Sequence, residues 1–80
     1  MLIVLPSSST TEKASEFLSQ HGYEHTVIPI PEELGYKTGA DIAIYTVSAD
    51  RNKMLTELTK ERFVVMRVFK EFELSNTPPN

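Results

Sequence analysis

The side chains able to do chemistry in this chain of 80 residues are few and scattered. His21 and His25 stand four apart, a spacing that on one helix face makes a metal pair, with Glu24 as the nearest third ligand. Gly22 lies between them, where the pattern changes from helix to strand, so the shared face is lost. No metal site is expected there. The rings read instead as a helix-end histidine favoured by the dipole and an exposed edge residue. Ser7, Ser8 and Ser9 offer hydroxyls, yet no Gly-x-Ser-x-Gly elbow surrounds them and no histidine is fixed beside them by the pattern. Helix capping is their expected work. The pairs Glu12/Glu16 and Glu32/Glu33 sit in polar sequence, without the apolar pocket that would raise one carboxyl for acid–base work. No catalytic residue and no cofactor are expected, and the chain reads as a non-enzyme.

One segment keeps binding chemistry. In Pro31 to Gly39 (PEELGYKTG), Lys37, Thr38 and the unencumbered backbone at Gly39 could hold a small anion at the head of the next strand, with Pro31 shaping the approach. Ordinary loop chemistry accounts for the same residues without any ligand.

Composition narrows the field further. Lys plus Arg number 8 against 11 Asp plus Glu, a net charge of -3, which disfavours a surface built for phosphates, nucleic acid or an anionic membrane. The absence of Cys removes disulfides, thiolate metal sites and thiol nucleophiles. Hydrophobic residues make up 40% of the chain, enough for one small core. The N-terminal apolar run, Met1 to Leu5, stops at Pro6 and is too short for a signal or a membrane span, so a cytoplasmic protein is expected.

The elements that must position these residues follow from periodicity. Met1 to Leu5 suits a short buried strand. Ser9 and Glu12 have capping-box spacing, and Ala14, Phe17, Leu18 and His21 make one stripe of a helix from about Thr10 to His21, closed by Gly22. Tyr23 to Pro31 is β-rich, and Pro29 confines it to a sheet edge. Ala40 to Val47 reads as a third strand. The connection before it is long for a hairpin, and a short helical turn over Pro31 to Leu34 would account for it. Ser48-Ala49-Asp50 can cap a second helix, which buries Met54, Leu55 and Leu58 and ends near Arg62. Phe63 to Phe69 reads as the fourth strand, continuing less clearly to Leu74.

The order β-α-β-β-α-β predicts an α+β, ferredoxin-like two-layer sandwich over residues 1–74, with strands in the order 4-1-3-2, all neighbours antiparallel, and both helices on one face. The polar tail, 75–80, is expected to be disordered. RNA-recognition motifs share this order, but the first strand here has no aromatic and the third lacks that motif's basic and paired aromatic residues. The fourth strand alternates as Phe63, Val65 and Phe69 on one side and Val64, Met66 and Val68 on the other, with Arg67 as its only charge. Two apolar faces on an unblunted edge predict a homodimer through Phe63, Val65, Arg67 and Phe69, or through the open sheet face. The alternative is that the C-terminal segment folds over that face. The expected function is a small binding or interaction module, with a protein partner or a small anion as ligand.

From Leu2 to Phe72 the chain resembles a family of small bacterial and archaeal proteins described as selenium/sulfur carrier protein-like. The residues that carry the likeness are Ala14, Phe17-Leu18, Gly22-Tyr23, Ile28-Pro29-Ile30-Pro31-Glu32-Glu33-Leu34 and Thr38-Gly39. The resemblance implies the same sandwich and a site at Thr38-Gly39, where the family typically has Cys-Gly. Thr38 stands in place of the chalcogen-bearing cysteine, and its hydroxyl forms no persulfide or selenide adduct. Glu32 stands where a basic residue is usual, so attraction for an anion must come from Lys37. The resemblance thus implies a scaffold without the thiol chemistry.

Overall fold

The computed structural model describes residues 1–74, so the tail expected to be disordered lies outside the described residues. The elements run β1 (Leu2–Val4), α1 (Ser8–Gln20), β2 (Thr26–Pro29), a short 3-10 helix (Glu32–Leu34), β3 (Ile42–Tyr45), α2 (Arg51–Lys60) and β4 (Arg67–Phe69). The four strands form one antiparallel sheet in the order β2-β3-β1-β4, the expected 4-1-3-2 read from the other side. The fold is an α+β ferredoxin-like sandwich. Pro29 pairs with Ile42 on the edge strand β2, where its missing N–H removes no bond from an interior ladder.

Alternation along the strands sorts the sheet into two apolar layers. Met1, Ile3, Leu5 and Ile44 face Ala14 and Leu18 of α1 and Met54 and Leu58 of α2, all buried, so both helices lie on one face. Leu2, Val4, Ile28 and Ala43 point the other way and are buried too. Their cover comes from the chain itself. Leu34 and Tyr36 of the β2–β3 connection, with Phe69 and Phe72, pack over this second face. The C-terminal segment is tied down by the Leu74 N–H donating to the Tyr45 hydroxyl (3.0 Å), by an edge contact of Phe72 on Tyr45, and by the Met1 amine donating to the Phe72 carbonyl (3.1 Å).

Both helices end in the same way. At the end of α1, Gly22 has φ +76°, and the Tyr23 N–H donates back to the Leu18 carbonyl; at the end of α2, Arg62 has φ +66°, and the Phe63 N–H donates to the Leu58 carbonyl. In each case the left-handed residue turns the chain so that the next ring, Tyr23 or Phe63, packs back on the helix-side core. At the other end of α1 the expected boundary moves. Ser7, not Ser9, is the N-cap, its Oγ accepting from the Thr10 N–H at 3.1 Å, and the helix begins at Ser8. An oxygen one residue before the first helical turn reaches its free N–H groups, whereas Ser9 is already inside it.

The fourth strand is also corrected. Only Arg67–Phe69 pairs with β1, because the left-handed turn at Arg62 commits Phe63 to the end of α2 rather than to a ladder. Phe63, Val65 and Val68 all pack on the helix side, so the two-residue alternation breaks between Val65 and Val68, while Val64 and Met66 are exposed. Phe63 and Val65 therefore do not share a face with Phe69, which lies on the second face.

Candidate functional site

The connection from β2 to β3 folds into an open loop held at its neck by the Ile30 N–H donating to the Asp41 carbonyl (3.0 Å). Its first half is the 3-10 turn, capped by Pro31 and closed by the Gly35 N–H on the Glu32 carbonyl (2.9 Å). Leu34 and Tyr36 anchor this half on the sheet. Its second half is fixed from below, where the Asp41 N–H donates to the Ser8 Oγ (3.0 Å) at the start of α1. Between the halves lies a cleft of about 540 Å3, within the size range of small-molecule sites.

Three of the four residues expected there line it: Pro31, Lys37 and Thr38. Gly39 has a different role. A Cβ at that position would stand 2.6 Å from the Pro6 carbonyl oxygen, so the absent side chain lets the β3 approach pass against the turn before α1 rather than against a ligand.

The cleft is rich in unused polar groups. Among the described residues the backbone N–H groups of Tyr36, Lys37, Thr38 and Ala40, all in residues that line the cleft, donate to no protein acceptor, and neither the Thr38 hydroxyl nor the Lys37 ammonium has a hydrogen-bond or ion-pair partner. Ala40 is a buried residue at the floor of this open cleft, 6% exposed. Glu32 and Asp41 also line the cleft and set two carboxylates against one ammonium.

The two histidines do not meet at a common point. His21 Nδ1 lies 2.9 Å from the Phe17 carbonyl, with its ring against the Phe17 ring. His25 was expected to be an exposed edge residue; it is half-buried, with Nε2 2.6 Å from Ser15 Oγ and Nδ1 2.8 Å from the Tyr23 carbonyl. No motif announces this contact. The usable signal was the Gly22 reversal, which sends the chain back along the helix and brings residue 25 beside residue 15.

The expected interface residues divide. Phe63 and Val65 are packed against the helices, while Arg67 and Phe69 lie on the second face, where the Arg67 guanidinium sits 4.9 Å from the Phe69 ring centre. Among the described residues no helix is long and apolar enough to cross a membrane. No family model, curated protein or solved structure matches the chain.

Proposed function

We propose that this protein is a non-enzymatic binding module that holds a small polar molecule in the loop cleft between Ile30 and Asp41. The observation that carries this reading is the set of amides at Tyr36, Lys37, Thr38 and Ala40 that have no partner among the described residues, beside the equally unpartnered Lys37 ammonium and Thr38 hydroxyl, in residues lining a cleft of about 540 Å3. Such a set of donors suits one anionic group, a carboxylate above all. Glu32 and Asp41 oppose a dianion and favour a cationic group on the same ligand, so the class that fits is a small zwitterion such as a free α-amino acid. The resemblance to the selenium/sulfur carrier-like family supports the same location, since Thr38 lines the cleft and stands where that family has its cysteine.

The test is a titration of 15N-labelled protein with free amino acids and, separately, with inorganic phosphate. Shifts centred on residues 36–41 with an amino acid, lost in Lys37→Ala, support the reading. Stronger shifts with phosphate overturn the zwitterion, and no shift with either overturns the binding role.

Self-association is the second reading, favoured by Val64 and Met66, 60% and 50% exposed beside the outer edge of β4. The sheet face that first suggested a second copy is already covered by Tyr36 and Phe72, and β4 is three residues long, a length that limits edge pairing. Sedimentation of wild type and Met66→Lys decides it: a concentration-dependent dimer weakened by the lysine is required.

A further inference from the structure

The contact of Ser15 with His25 is independent of the cleft. A carbonyl oxygen only accepts, so the 2.8 Å contact of His25 Nδ1 with the Tyr23 carbonyl places a hydrogen on Nδ1. In the neutral ring Nε2 is then a lone pair, and the Ser15 hydroxyl 2.6 Å away donates to it. A serine in mid-helix can bond back to the carbonyl four residues earlier, as the threonines Thr11, Thr56 and Thr59 do here. Ser15 spends its proton on the histidine instead. The result is a hydroxyl, a base and a group that fixes the base's tautomer, in the relation required for an activated nucleophile. Both side chains are half-buried, and a groove of about 490 Å3 lined by His25, Tyr45, Thr46 and Ser48, though not by Ser15 itself, opens on the histidine side of the pair.

We propose that Ser15 is a nucleophile toward activated acyl groups, with His25 as its general base and the Tyr23 carbonyl as the group that orients the ring. In the acylation step Ser15 Oγ bonds to the acyl carbon while its proton passes to His25 Nε2. Collapse of the tetrahedral intermediate breaks the bond to the leaving oxygen, and the proton departs with that oxygen or to water. No oxidant or reductant is involved. The N–H groups around Ser15 belong to the ladder of α1, so the oxyanion is stabilised mainly by solvent. A single stable acylation is therefore expected rather than rapid turnover.

The test is incubation of the full chain with p-nitrophenyl acetate, followed by peptide mapping. An acetyl group on Ser15, absent from the exposed and histidine-free Ser19 of the same helix, is the expected result. His25→Asn keeps an N–H for the Tyr23 carbonyl but removes the base, and should slow labelling of Ser15 by about a hundredfold. Added imidazole should restore part of the rate in His25→Ala. Equal labelling of Ser15 and Ser19 in the wild type, measured without any variant, overturns the proposal, as does an unchanged rate in folded His25→Asn.

Discussion

The Arg67 guanidinium lies 5.8 Å from the centre of the Tyr36 ring, which ties the last strand to a wall of the loop cleft. Tyr36 in turn meets Phe69 edge-on at 5.8 Å between ring centres. Arg67 is exposed, and a solvent-accessible cation over an aromatic ring is worth about 0.5–1 kcal/mol. Arg67→Ala should cost about that much in urea denaturation, and the loss should shrink when Tyr36→Leu is already present. The same variant should shift the amide resonances of Tyr36 and Lys37, although Arg67 does not line the cleft. An effect on stability with no change at Tyr36 would confine Arg67 to Phe69.

The start of α1 separates two serines that the sequence treats alike. Ser7→Ala removes the oxygen that accepts from the Thr10 N–H and should destabilise by about 1 kcal/mol. Ser9→Ala replaces an exposed side chain within the helix by the best helix former, and should be neutral or slightly stabilising. Thermal denaturation of the two variants in parallel checks the pair, and a larger loss at Ser9 would restore the Ser9/Glu12 capping box.

Arg62 holds the left-handed position that Gly22 holds after the first helix. A side chain there costs about 1 kcal/mol of backbone strain, partly offset because glycine has more freedom to lose on folding. Among the described residues Arg62 has no ion pair. Arg62→Gly should therefore stabilise the domain by about 0.5 kcal/mol, seen as a higher urea midpoint with unchanged slope.

Gly39 is demanded by space. The alanine Cβ would lie 2.6 Å from a backbone oxygen of Pro6, which cannot swing away as a flexible side chain can. Gly39→Ala should cost about 1–3 kcal/mol and disturb the neighbouring bond between the Asp41 amide and Ser8. Full retention of stability would mean that the turn before α1 yields easily.

The fold was legible because strong local signals agreed with one another: Pro29 named an edge, Gly22 closed a helix, and the order of elements admitted one sheet. The fourth strand was misread because FVVMRVF has strand composition throughout, while the end of α2 claims Phe63 through a left-handed arginine that no propensity scale marks. Pro31, Lys37 and Thr38 could be placed at a common loop from sequence because they are close along the chain. Ser15 and His25 could not, since their contact depends on the direction in which the chain leaves α1. Tyr36, read as one loop residue among others, became a cover for the sheet only once the connection folded back on it.

The Met1 amine links pH to stability. It donates to the Thr46 carbonyl at 2.9 Å and to the Phe72 carbonyl at 3.1 Å, so it joins β1 to the end of β3 and to the covering segment. Burial pushes its pKa below the ordinary value of an α-amino group, the Arg51 charge adds to that push, and Glu73 opposes it. A cation with a lowered pKa in the folded state binds fewer protons there than in the unfolded chain, so between the lowered value and about 8 stability must rise with pH. Below that window the penalty is constant, and above it the amine is neutral in both states and the penalty is gone. The measurement is urea denaturation from about pH 6 to about pH 9 on the free chain and on an Nα-acetylated one, in which this charge is absent and the other titrating groups are the same. The free chain should gain stability relative to the acetylated one as pH rises through the window. Parallel pH profiles would show that the folded amine keeps its proton as readily as the unfolded one does.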